Sequence, residues 1–254
     1  MHQGYNVSKG RLIGEVIAVL AIFFVVNLAL TLLLYLSVAG FTLEALEATQ
    51  KAGGEDRVML FVLLAAPLGM LATLGATVLF LNARGVELYE LGLRRPVPWK
   101  KTFVLGALIA VGVYLASIGV QFLLSRIGIE PNLEDFTMIR GNLVLYLYAV
   151  TVFTWVSAAF GEEILFRGFI MRNLQALFGE RKGAWAIANV LQALVFALLH
   201  LNQGLGGAIP VFLVALVFGY AFVRFGKTLW PLVVAHGIVD MASFTLLYLG
   251  VTEF

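Results

Sequence analysis

Long apolar runs separated by short polar stretches make up most of the chain. They fall at 12–39, 58–81, 102–125, 143–170, 184–201, 208–225 and 229–251. About 20 mostly apolar residues are needed to cross a hydrocarbon layer roughly 30 Å thick, so the pattern predicts an all-α polytopic transmembrane helical bundle of about seven spans. The fourth run is broken by Glu162, Glu163 and Arg167, and helical character continues from Arg172 to Phe178. An eighth short or re-entrant element there is the alternative count. The first run follows Lys9 and Arg11 and ends at Ser37-Val38-Ala39, a small-x-small pattern. A signal peptide has an apolar region of only about 7–15 residues, so this run reads as an uncleaved first span. The segment 43–57 is polar with apolar residues at roughly helical intervals and predicts a surface helix. Pro96, Pro98, Trp99 and Lys100-Lys101 form a stiff interfacial start to the third span, with Trp99 at headgroup depth. Loops are short and no internal repeat is visible, which predicts one transmembrane domain over 1–254 with its motif-bearing core at about 143–251.

Composition narrows the class. The 254 residues are 61% hydrophobic and 13% charged, against roughly 45–50% and about 25% in soluble domains. A water-soluble globule, a disordered chain and a nucleic-acid domain with a basic surface are excluded. The chain contains no cysteine, so disulfides, thiolate nucleophiles and Cys-ligated metals are excluded as well. Lys and Arg exceed Asp and Glu only by 17 to 15, which leaves their placement as the signal. Assigned to alternate flanks, 13 cations lie on the side of Lys9 and Arg11 and four (Lys51, Arg57, Arg126, Arg140) on the other. Basic residues favour the cytoplasmic side, so the amino terminus is expected in the cytoplasm and the carboxyl terminus outside.

The ionisable residues inside the runs are few. A charge at the centre of a spanning helix costs about 2.5–3.5 kcal/mol on insertion scales and by default marks a functional position. The relevant ones are Glu162, Glu163 and Arg167 in the fourth run, His200 in the fifth, and His236 and Asp240 in the seventh. Glu163 and Arg167 are spaced i, i+4, as are His236 and Asp240, the separation at which helical side chains meet. Glu162 lies about 100° from Glu163 around an α-helix, so the two carboxylates are expected to divide the work. Asn189, Gln192 or Ala193, Phe196 and His200 form a stripe on the fifth run. Each group alone has an ordinary structural reading, as a helix brace, a cap or a helix-to-helix hydrogen bond. Together they present two His and three acids from separate spans, which a purely structural bundle has little reason to do. A carboxylate beside an imidazole takes a proton from water, and a facing helix stabilises the oxyanion formed at a carbonyl. This set suits amide hydrolysis by activated water. Other intramembrane protease designs are absent: none of the six Ser residues has Gly two positions before it, there is no Gly-x-Gly-Asp, and no His-Glu-x-x-His.

The three motifs Glu162-Glu163-Ile-Leu-Phe-Arg167, Phe196-Ala-Leu-Leu-His200 and His236-Gly-Ile-Val-Asp240 together resemble the CPBP intramembrane proteases, a family of CAAX proteases and bacteriocin-processing enzymes that includes the type II CAAX prenyl endopeptidases. The motif Leu91-Gly-Leu-Arg-Arg-Pro96 also looks like members of this group. The resemblance implies a protease site inside the membrane, open toward the cytoplasm, with Glu162 as general base and His200 as its partner on the attacking water. It further implies that His236 and Asp240 form the oxyanion site, while Glu163 and Arg167 orient Glu162 and brace the helix, with Phe196 in support. Members are described both as metal-free glutamate proteases and as metalloproteases. A Zn²⁺ site would draw on His200, His236 and Asp240 or Glu162. With Glu162 as base only Asp240 remains as carboxylate ligand, so a metal-free mechanism without cofactor is preferred. The prenyl endopeptidases carry Asn where this chain has Asp240, and Asp240 is expected to accept a hydrogen bond from His236. Implied partners are membrane lipid and a peptide or protein substrate, including one lipidated at its C-terminus, with no nucleic acid.

Helical rise sets a condition on that site. At about 1.5 Å per residue, His200 stands roughly 24 Å along the fifth run and His236 about 10 Å into the seventh. The groups meet only if the fourth helix continues past Glu162 and the fifth starts deeper or tilts. Glu162 is therefore expected near mid-membrane. A proton-coupled transporter, or a noncatalytic membrane scaffold or immunity protein, is the rival reading of the same buried charges.

Overall fold

A computed structural model describes residues 7–39, 54–94, 98–132 and 134–251. Among the described residues seven helices carry the fold: α1 Lys9–Ala39, α2 Gly54–Asn82, α3 Trp99–Ser125, α4 Leu143–Phe178, α5 Ala184–Leu198, α6 Gly204–Arg224 and α7 Trp230–Leu249. No strand occurs among the described residues. Most of the segment 43–57 lies outside the described residues, as do 95–97, so the surface helix and part of the proline-rich start of α3 are not placed.

All but α5 are long and apolar enough to cross a bilayer. α5 has 15 residues, about 22 Å at the α-helical rise, which corrects the expectation of a fifth full span over 184–201. The local reason is visible at its end. The His200 amide bonds the Ala197 carbonyl at 3.0 Å, an i−3 contact, while the Phe196 carbonyl is taken by the His200 ring at 2.8 Å. The chain then turns through a 3₁₀ segment, Leu201–Gln203, whose Gln203 carbonyl accepts from the Asn132 amide at 2.9 Å. α6 follows at Gly204, four residues before the predicted start.

α4 is the central element. It runs α-helical over Leu143–Tyr148, continues as a wider i→i+5 helix over Ala149–Ile170, and returns to α over Met171–Phe178. It extends to Phe178 as the sequence predicts, and no eighth long helix is present among the described residues. α2 and α7 pack along it, α5 packs on its final turns and on α6, and α3 packs on α7 and α6. Without a hydrophobic drive between helices in lipid, small residues decide close approach. Gly106 of α3 shows this: a Cβ there would stand 2.6 Å from the Val234 side chain and 2.9 Å from the Pro231 carbonyl of α7.

Backbone polar groups in hydrocarbon need partners. Pro67 lies inside α2 and has no amide to offer the carbonyl four residues before it, that of Leu63. The Tyr148 hydroxyl of α4 reaches that carbonyl at 3.4 Å and the Leu64 carbonyl at 3.3 Å. Tyr148→Phe should therefore destabilise the protein by about 1–3 kcal/mol, the cost of a buried acceptor left unpaired. Thermal unfolding in detergent reads this, and an unchanged midpoint would show that the Pro67 break is satisfied another way.

A second ionic cluster ties α1 and α2 to the end of α4. Arg84 pairs with Glu15 at 3.2 Å and donates to Asn173 at 3.1 Å, and Arg11 donates to the same Glu15 at 2.8 Å. Glu15 lies inside the first apolar run. That position alone carried the signal, since an acid buried within a span needs a cation.

Candidate active site

Glu162 stands near the middle of α4, nineteen residues after Leu143 and sixteen before Phe178. It is part-exposed, in a line of charges whose Glu163 and Arg167 lie deeper. The Glu163 and Arg167 side chains are fully buried and joined through Oε1 and a guanidinium nitrogen at 2.9 Å. Arg167 lies over the rings of Phe196 and Phe218, at 4.9 Å and 5.4 Å from their centroids, and its other terminal nitrogen approaches the Ala215 carbonyl of α6 at 3.4 Å.

His236 of α7 completes the line. Its Nδ1 lies 2.9 Å from the same Glu163 oxygen that Arg167 holds. A carboxylate held by a guanidinium can only accept, so Nδ1 carries the proton and Glu163 orients the ring. Nε2 then points to the remaining acids, 3.8 Å from Glu162 Oε2 and 3.7 Å from Asp240 Oδ2. The hydrogen bond expected between His236 and Asp240 is not made at that distance, and Glu163 takes the orienting place. One imidazole is thus flanked by both carboxylates of the Glu-Glu pair, one at each ring nitrogen. A wider helix advances less around its axis per residue than an α-helix, which brings consecutive side chains toward one partner more nearly than the 100° spacing allows.

Packing holds the imidazole from the other side. The Phe218 ring meets that of His236 edge-on at 5.7 Å. Gly237 lets Trp155 of α4 pack beside it, since a Cβ there would lie 2.6 Å from the indole. Neither Phe218 nor Trp155 was singled out from the sequence, because an aromatic in an apolar run has no periodic signature of its own.

His200 is placed differently. Its Nδ1 is bonded to Phe196 of its own helix and its ring lies 4.6 Å from the Phe196 centroid. No hydrogen bond or ion pair joins it to Glu162. It adjoins the charged line through Phe196, which is shared between His200 and Arg167. A carbonyl only accepts, so Nδ1 is the protonated nitrogen and Nε2 is left for a ligand or water.

Of the candidate metal ligands, Glu162 and Asp240 both face His236 Nε2, at 3.8 Å and 3.7 Å, while no hydrogen bond or ion pair joins His200 to either. Among the described residues no group of three or more His, Asp or Glu is arranged to hold a metal ion. His236 Nδ1 and His200 Nδ1 are both committed to protein acceptors.

Compared with known proteins, residues 144–242 match the family model described as type II CAAX prenyl endopeptidase Rce1-like. Neither a curated protein nor a solved structure matches the chain. The matched segment runs from the start of α4 into α7 and contains Glu162, Glu163, Arg167, Phe196, His200, His236 and Asp240. Residues 144–242, which hold all three motifs and the charged line they build, are thus similar to the CAAX protease family.

Proposed function

We infer that the protein is an intramembrane endopeptidase that hydrolyses a peptide bond with water activated by Glu162. The observation that carries this reading is the fixed imidazole of His236, held at Nδ1 by Glu163 with Nε2 facing Glu162 at mid-helix. Glu162 Oε2 takes a proton from water as the water oxygen attacks the substrate carbonyl carbon. His236 in its imidazolium form offers Nε2–H to the oxyanion, and His200 Nε2 accepts a hydrogen bond from the same water. Collapse of the tetrahedral intermediate breaks the C–N bond as Glu162 returns its proton to the leaving nitrogen. Glu163 and Arg167 position His236 and do not touch substrate. Every step above uses side chains and water alone.

This reading takes the amino terminus as cytoplasmic and the carboxyl terminus as outside, on the preference of flanking cations for the cytoplasmic side. The substrate is a peptide or protein segment that reaches the bilayer, with a C-terminal lipid as one way of getting there.

The purified full chain in liposomes should cleave a membrane-anchored reporter peptide. Proton or ion flux with no cleavage of any reporter would replace this reading with a transporter. Asp240→Asn should retain activity within about tenfold of the parent, because His236 is oriented by Glu163 and an amide at 240, unlike a carboxylate, can donate to the oxyanion. Complete loss of cleavage in a normally folded Asp240→Asn variant would give Asp240 a role that its carboxylate alone fills.

A further inference from the structure

The polar line does not stop at Arg167. The Ala215 carbonyl that Arg167 approaches at 3.4 Å also accepts from Gln192 Nε2 of α5 at 3.2 Å. Gln192 Nε2 is also 2.9 Å from Asn189 Oδ1, and Asn189 donates to the neighbouring Leu216 carbonyl at 2.9 Å. Gln192 is completely buried and, with Asn189, is one of two amide side chains in a mostly apolar helix. Its place in the stripe of the fifth run is left unused by the mechanism above.

The shared carbonyl makes Gln192 more than a link between α5 and α6. A carbonyl oxygen has two lone pairs, and inside a helix one of them serves the amide four residues on. Gln192 and Arg167 therefore compete for what remains at Ala215, and the Arg167 contact is the longer of the two. One guanidinium nitrogen holds Glu163 at 2.9 Å while the other stays at 3.4 Å from Ala215, so a guanidinium kept from closing that longer contact keeps its short bond to Glu163, and Glu163 is what holds the His236 ring. We propose that Gln192 is a positioning residue of the active site: by occupying the Ala215 carbonyl it keeps Arg167 on Glu163, and through Glu163 it sets the ring of His236.

The assignment rests on the endopeptidase reading for its kinetic consequence but not for its geometry. Gln192→Leu releases the carbonyl and lets Arg167 lean toward α6. Gln192→Glu places a second carboxylate beside Arg167, in competition with Glu163. Both variants should lower kcat about ten- to a hundredfold, the range expected when a catalytic group is displaced by up to an ångström, with KM little changed. Gln192→Asn, which shortens the side chain but keeps the amide, should fall between them and the parent.

The second readout is the ¹⁵N signal of His236 in the full chain, labelled at histidine and assigned with a His236→Gln variant. It should shift in Gln192→Leu and Gln192→Glu, while the His200 signal moves less. An unmoved His236 signal overturns the proposal, whether kcat is unchanged or falls only in step with thermal stability. A shifted signal in a protein that cleaves no reporter supports the coupling and overturns the endopeptidase reading, so the two failures are separable.

Discussion

Glu162→Gln is expected to remove cleavage of the reporter peptide by about 10²–10⁴-fold or more, the contribution of a positioned general base, while leaving the fold intact. Gln has the shape of Glu and cannot take the proton of water. Glu162 is also the member of the Glu-Glu pair that the fold can release. Its side chain is 17% exposed, and its one ion-pair contact, to His236, is long at 3.8 Å. Glu163 has neither property: it is fully buried and joined to both Arg167 and His236. Circular dichroism and thermal unfolding of the Glu162→Gln protein should match the parent. Cleavage within tenfold of the parent would remove Glu162 from the chemistry and leave His236 or Asp240 to activate the water.

The second large effect concerns the pair that does no chemistry. Arg167→Leu leaves the Glu163 carboxylate in the bundle interior with only His236 beside it. Breaking a buried pair by removing one partner costs about 3–5 kcal/mol, and loss of the guanidinium over Phe196 and Phe218 adds about 0.5–2 kcal/mol. The protein should unfold at markedly lower temperature or fail to accumulate. Glu163→Leu combined with Arg167→Leu should recover much of that stability, since no uncompensated charge remains and apolar replacement of a whole buried pair is often neutral. The double variant should still cleave nothing, because His236 has lost the carboxylate that fixes its ring. Equal instability of single and double variants would mean that the pair contributes chiefly through packing. An active double variant would mean that Glu163 does not orient His236. Arg167→Lys separates the roles further, as an ammonium keeps a charge beside Glu163 but lacks the planar fork whose second nitrogen faces the Ala215 carbonyl.

Much of this was readable before any fold was known. Apolar runs of spanning length leave a chain few choices in a bilayer, so the number of helices and most of their limits follow from hydropathy. The same scarcity of charge made Glu162, Glu163, Arg167, His200, His236 and Asp240 stand out, because each must repay a desolvation cost. What failed was local. The fifth helix stops at Leu198 because its last carbonyls are taken by the His200 ring and a tightened turn, which hydropathy does not register. Glu15 and Arg84 meet across 69 positions, and no periodicity announces such a pair. Tyr148 and Pro67 are matched by a hydrogen bond between helices that composition alone does not reveal.

Spacing along a helix tells which side chains share its face, and on that basis the sequence paired Glu163 with Arg167 and His236 with Asp240. The first pair is bonded at 2.9 Å. The second is not bonded, at 3.7 Å, because His236 has a better partner on another helix, Glu163 at 2.9 Å. Which residue types carry the charge inside the spans, and in what order, was legible in the sequence alone through the cost of placing charge in lipid. Which nitrogen of His236 meets which carboxylate, and the route from Gln192 through Ala215 and Arg167 to that ring, were decided only by the tertiary structure. The reason is physical: a hydrogen bond depends on distances of a few tenths of an ångström between groups on different helices, and those are set by how the helices pack.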